Sequence, residues 1–396
     1  MLVIFCSSKR SNRKTKFKVD PEEQMSTEEL VRYYGYPVEV HTIQTNDKYI
    51  IDIHRIPHGL NQTANGCRPA ILLMHGLVSS SATWVLNLPH QSAGFIFADA
   101  GFDVWLGNIR GNTYGRKHVI LNDKQKEFWR FSWSEHAHND LPAIFDKIEE
   151  VTNQSQIYYL GYSQGSTMMF AQLAEHPEFA NRIKRFFALG PAVSMRNTKG
   201  FLRFMADVMY PIYKKVRAMF GDSEFVPKSY IMDWVVRHVC RGPMTHLCSN
   251  FIFLLAGPEM GNINETRINV YSSHTPAGTS NQNILHWAQL AYTGVFAKFD
   301  YIDKEKNVEH YKQETPPLYS LNNIDQNLKI HFYTSKTDIL ADPADVKDTI
   351  SKLPKGVLKS HKILDKFSHL DFQWGLNAPK LVYYPILHTI KKLDQV

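Results

Sequence analysis

The sequence predicts an α/β fold, a mostly parallel central sheet flanked by helices and split by a mainly helical insertion. Three observations carry this expectation. Short apolar runs alternate with helix-like segments from Tyr34 to about Leu189, as parallel strand–helix–strand units require. Past Pro191 the alternation stops, and no further strand pattern appears until Lys329. Between these lies Ile157 to Leu160, a strand-like run that ends in Gly161-Tyr162-Ser163-Gln164-Gly165 and passes into a helix-like stretch, Thr167 to Glu175.

In chain order, the first strands are read at Tyr49 to Arg55, Ala70 to Met74 and Phe102 to Leu106, with a helix over Leu141 to Val151. The region after Pro191 is different. Phe201 to Phe220 is rich in Phe, Met and Tyr, and Asp233 to Leu255 is broadly apolar. Leu328 to Tyr333 then alternates as a strand. Ala344 to Leu353 reads as a helix with Asp342 as its cap before Pro343. Val357 to Leu364 is the last strand, and an amphipathic C-terminal helix follows.

The G-x-S-x-G pattern is that of a serine nucleophile on a sharp strand-to-helix turn. Ser163 must adopt a strained backbone there, and side chains at Gly161 or Gly165 would strike the folded-back chain. The turn lifts the hydroxyl clear of the sheet, beside a helix N-terminus that favours developing negative charge. A serine nucleophile needs a base, and the base needs an orienting carboxylate. On this kind of elbow the acid follows the serine in sequence and the histidine comes last. Asp338, just after the strand ending near Tyr333, is the expected acid. Asp342 and Asp345 are nearby rivals, and Asp342 is better read as a helix cap. His369, in the loop after the last strand, is the expected base. Of the other histidines, His331 and His361 fall inside predicted strands and His388 in the terminal helix. Two backbone N–H groups should hold the oxyanion: those of Gln164, next to the nucleophile, and Leu77, after the strand Ala70 to Met74.

Several segments are more specific. Leu72-Leu73-Met74-His75-Gly76-Leu77, Ser81-Ala82-Thr83-Trp84-Val85 and Gly101 to Asn112 resemble the acid lipases, the gastric and lysosomal lipase family of the α/β-hydrolase superfamily. So do Phe128 to Trp133, Asp140 to Ala143, Ser273 to Ser280, Asp338 to Pro343 and His369 to Phe372. The resemblance runs in register from about Glu28 to the C-terminus. It implies a triad at Ser163, Asp338 and His369, oxyanion amides at Leu77 and Gln164, and hydrolysis of neutral lipid esters, triacylglycerol or cholesteryl ester. It further implies tolerance of acid pH and a cap that opens at a lipid surface. The expected organisation is an N-terminal extension over 1–27 (disordered, or an incomplete signal region), hydrolase core over 28–195 and 326–396, and the cap over 196–325. Phe204, Met205, Met209 and Phe220 would line an acyl tunnel or form the cap's own core. Lipid acyl transfer with the same triad, and a non-catalytic lipid-binding role, are the alternative readings.

The chain has 396 residues and 43% hydrophobic content, enough for one large domain with an insertion. No apolar run reaches the ~18 residues of a membrane span. The net charge of +7 invites a nucleic-acid reading, but Lys and Arg are scattered beyond Lys9 to Lys18 and no binding motif is present. An anionic lipid surface is the expected partner, with a merely solvated basic surface as the alternative. A monomer is expected, and neither a metal nor a cofactor.

Four cysteines are present. Cys240 and Cys248 would close a small loop, which is easy in an oxidising compartment, and the family has a disulfide here at slightly different spacing. Two unpaired thiols are the alternative, and Cys67 reads as free. Sequons at Asn61, Asn153 and Asn264 fall in predicted loops and suggest the secretory pathway, lysosomal or extracellular. The N-terminus opposes this: Met1 to Cys6 is too short for a signal-peptide core and precedes the basic cluster. An incomplete start is the favoured reading, and a cytosolic member is the alternative.

Overall fold

The structure, a computed structural model, describes residues 20–62, 66–212, 222–225 and 261–395. Among these residues, nine strands form one sheet: β1 (Glu39–Gln44), β2 (Tyr49–Ile56), β3 (Ala70–Met74), β4 (Asp103–Leu106), β5 (Lys117–His118), β6 (Ile157–Tyr162), β7 (Ile183–Leu189), β8 (Ile330–Ser335) and β9 (Leu358–Leu364). Their order is β1-β2-β4-β3-β6-β7-β8-β9, with β5 paired to β2. From β4 to β9 every pairing is parallel, and β1, β2 and β5 make an antiparallel edge.

The central strands are buried throughout because helices cover both faces of the sheet. All residues of β3, β6 and β8 are buried. Strand alternation divides them between two cores. Leu72, Met74 and Tyr159 face the helix Leu141–Thr152, which presents Leu141, Ile144 and Ile148 at helical spacing. Ile71, Leu73, Tyr158 and Leu160 face the opposite way, toward Ile386 and Ile390 of the terminal helix Tyr384–Asp394. His388 lies on the outer face of that helix and is exposed.

Between β7 and β8 the described residues hold helices at Gly200–Met209, Ile268–His274, Asn281–Thr293 and Lys304–Tyr311, and no strand. Phe220, Cys240 and Cys248, with Cys6 and the basic cluster at Lys9 to Lys18, lie outside the described residues, as does the side chain of Met209. Cys67 is exposed and forms no disulfide.

The expected extension over 1–27 needs correction at its end. Residues 20–27 are part of the packed body: Asp20 and Ser26 cap helices, and Thr27 and Glu22 are buried. Glu22 forms a bidentate ion pair with Arg267, both oxygens at 2.5 Å. A buried carboxylate so far along the chain from its partner has no local sequence signature.

Candidate active site

The candidate site lies at the carboxyl ends of β6, β8 and β9, the edge where open α/β sheets carry their chemistry. Ser163 ends β6 at φ 51°, ψ −117° and starts the helix Gln164–Glu175. A non-glycine residue in that region is strained, and the surroundings must hold it there. Ser163 N–H donates to Leu189 O of β7 at 2.9 Å, and Ser163 O accepts from Ser166 and Thr167. The two glycines have a steric reason. A Cβ on Gly161 would stand 2.9 Å from the Gly165 carbonyl, and one on Gly165 would stand 2.6 Å from Met74 O.

Three side chains converge. His369 Nε2 lies 2.8 Å from Ser163 Oγ, and His369 Nδ1 lies 2.8 Å from Asp338 Oδ2. All three are buried. Asp338 Oδ1 accepts from the amides of Leu340 and Ala341, at 2.9 and 3.0 Å, which fixes the carboxylate while Oδ2 meets the ring. Tyr162 Oη donates to the backbone oxygen of His369 at 3.0 Å. Burial, and then the Asp338 charge, push the Tyr162 phenol well above its usual range, so it remains a donor. Of the rivals, Asp342 caps the helix Pro343–Ser351, and Asp345 is spent on Asn197. His331 bonds Ser360, and His361 bonds Thr334, both away from Ser163.

Leu77 and Ser163 share the wall of one cavity of about 170 Å³. The loop under Leu77 is tightly held. Burial pushes the His75 imidazole down to about 4, so the ring is neutral. Its Nδ1 donates to Gly76 O at 2.8 Å and its Nε2 faces the Asn112 amide at 3.2 Å. Among the described residues neither the Leu77 nor the Gln164 N–H donates to a protein acceptor. The cavity wall is mostly apolar, with Met195, Leu202, Met205, Phe225, Ile284 and Trp287 on it. Met205 faces the cavity, whereas Phe204 points out and is exposed.

Sequence reasoning missed several neighbours. Gly190, after β7, has φ 49°, and a Cβ there would lie 3.2 to 3.3 Å from His369 and from Asp338 Oδ2. Asn283 and Trp287, on the helix Asn281–Thr293, both donate to Gln164 Oε1. No local pattern marks any of the three.

The sequons sit at the surface. Asn61 and Asn153 are exposed, Asn153 in the left-handed cap of its helix. Asn264 is half-buried, and its Oδ1 accepts from both the amide and the hydroxyl of Thr266.

The fold and the site together define a carboxylic-ester hydrolase built on the α/β-hydrolase plan. A family model described as the alpha/beta hydrolase fold matches residues 69–376, and one described as a partial alpha/beta-hydrolase lipase region matches residues 27–88. The chain is 44% identical over 379 residues to lipase lipl-1 of Caenorhabditis elegans, covering 94% of this chain and 93% of that one. It is 42% identical over 376 residues to the human lysosomal acid lipase/cholesteryl ester hydrolase, covering 94% and 92%. A soluble variant of monoglyceride lipase from Saccharomyces cerevisiae shares the fold, with a TM-score of 0.52, 14% identity, and 90% and 96% of the two chains covered. The chain belongs to the acid lipase family of α/β hydrolases.

Proposed function

We propose that the protein hydrolyses carboxylic esters of neutral lipids, triacylglycerol or cholesteryl ester, through an acyl-enzyme formed on Ser163. The observation that carries this is the unbroken Asp338–His369–Ser163 chain of 2.8 Å contacts at the wall of an apolar cavity. His369 takes the Ser163 proton as Oγ attacks the ester carbonyl. The amides of Leu77 and Gln164 hold the oxyanion. His369 then gives its proton to the departing alcohol, and a water repeats the sequence on the acyl-enzyme. Asp338 keeps the imidazole in the tautomer with Nδ1–H.

The segment 196–325 is read as a cap over this cavity. Met205 and Phe225 on the wall support that reading. The net charge of +7 supports docking of the monomer on an anionic lipid surface. The sequons at Asn61, Asn153 and Asn264, and a Cys240–Cys248 disulfide, fit a secretory destination, lysosomal or extracellular. The name of the human relative points the same way.

The deciding experiment measures fatty acid released from emulsified trioleoylglycerol and cholesteryl oleate, from acid to neutral pH, by wild type and Ser163→Ala. Release on either lipid that is lost in the variant is the expected result. Folded wild type that releases nothing from both overturns the proposal.

A further inference from the structure

Gln373 is a polar side chain in the cavity that the proposed chemistry leaves unused. It lies four residues after His369 on the short helix Asp371–Trp374. Its N–H donates to Leu370 O at 3.0 Å and its backbone carbonyl accepts from the Tyr383 hydroxyl at 3.1 Å, so its backbone is fixed on both sides. The residue is 3% exposed and lines the same cavity as Ser163 and His369. Its Nε2 is shut off from solvent and has no acceptor among the described residues.

A carboxamide carries two donors and an acceptor, and leaving them unpaired in a protein interior is costly. Rotation about the last side-chain bond exchanges its two ends, so it can present either an N–H or a carbonyl to a ligand. The missing partner is therefore sought in the substrate.

Resting on the ester-hydrolase reading above, we infer that Gln373 determines specificity by hydrogen-bonding an oxygen on the alcohol half of the ester. His369 must hand its proton to the leaving alcohol, and Gln373 follows His369 by four residues on the wall of the same cavity. In an acylglycerol, the carbons beside the scissile ester carry a second ester or a hydroxyl. The alcohol half of a sterol ester is a hydrocarbon with no further oxygen. The cavity therefore selects acylglycerols over sterol esters.

The test compares wild type, Gln373→Leu and Gln373→Met on dioleoylglycerol and cholesteryl oleate in the same micelles, with thermal midpoints alongside. Both variants remove the amide and keep the volume. Their midpoints should hold or rise, because an unpaired buried amide is lost. Acylglycerol kcat/KM should fall about 10-fold while the sterol ester value holds, which shifts the ratio of the two by about the same factor. An unchanged ratio, with wild type active on both lipids, overturns the role of Gln373 alone. Folded wild type inactive on both overturns this inference together with the reading on which it rests.

Discussion

Trp287 Nε1 donates to Gln164 Oε1 at 2.9 Å, and Asn283 Nδ2 reaches the same oxygen at 3.0 Å. Gln164 is the residue after the proposed nucleophile, and its two donors come from a helix more than a hundred residues along the chain. The side chain is fully buried, so its carbonyl has no water to fall back on. These bonds fix the first turn of the elbow helix, and with it the direction of the Gln164 N–H. Trp287→Phe removes one donor and keeps an aromatic ring, though a smaller one. We expect kcat to fall about 3- to 10-fold, the equivalent of one neutral hydrogen bond, with KM less affected. Combined with Gln164→Leu, the two losses should be less than additive, since both remove one interaction. Strict additivity in kcat would show that the contact does not act on the elbow.

Asp338→Asn separates chemistry from folding. The asparagine carbonyl can still accept from Leu340 and Ala341, so the loop should stay in place. Its amide would point N–H at His369 Nδ1 and force the opposite tautomer, leaving Nε2 protonated and unable to take the Ser163 proton. A loss of about 10⁴ in kcat is expected, on the scale seen when a triad carboxylate is neutralised. Labelling of Ser163 by a fluorophosphonate should slow in parallel while the thermal midpoint holds. Labelling at the wild-type rate would remove Asp338 from the mechanism.

Much of this arrangement could be read locally. The elbow is contiguous, so Gly161, Ser163 and Gly165 carry their own steric explanation. Asp342 reveals itself as a cap by preceding Pro343, which clears the field for Asp338. His369 is separated from His331 and His361 by lying in a loop where they lie in strands. What could not be read are the contacts made across the fold. Glu22 looks like a charged residue in a disposable leader until Arg267 arrives beside it. Gln164, Asn283 and Trp287 share no local pattern, and Gly190 gains meaning only when β7 is set beside β8.

Gly190 supplies a third prediction. The residue sits at φ 49°, and a methyl group there would come within 3.3 Å of both His369 Nδ1 and Asp338 Oδ2. Gly190→Ala should therefore act twice. Left-handed backbone costs a non-glycine residue about 1 kcal/mol or more of stability. The methyl group also makes the His–Asp pair give by a few tenths of an ångström, a fraction of the ~1 Å displacement that can cost about 100-fold in rate. The expected result is a modest fall in thermal midpoint with a disproportionate fall in kcat. A variant that loses stability but keeps full kcat would show that the pair tolerates the added carbon.

Buried histidines should set the acid limit of stability. Burial pushes His54, His75 and His331 down to about 4 and His286 to about 3. In an unfolded chain they would titrate near ~6.5. Between ~6.5 and ~4 the unfolded state thus binds more protons than the native state, and stability falls as pH falls through that window. Above ~6.5 the rings are neutral in both states and exert no slope. Asp140 works the other way: burial raises it to about 6 despite its bonds to Arg110, so the native state takes its proton first and gains stability as pH falls from about 6 toward the unfolded value. Burial also raises Asp345 and lowers His136 and His361, and two carboxyls do not offset these imidazoles, each pKa unit being worth about 1.4 kcal/mol. Urea unfolding should show a plateau near neutral pH and a loss of several kcal/mol by about pH 4. This limb sets a lower bound on the pH at which the folded protein persists. His286→Phe tests the cause. The variant loses the bond from Nε2 to Ala297 O and should be less stable at neutral pH, while its phenyl ring can keep the stack on Trp133. Its acid limb should be visibly shallower than that of wild type. An equally steep limb would mean that His286 does not become protonated on unfolding in this window, and that the acid sensitivity arises elsewhere.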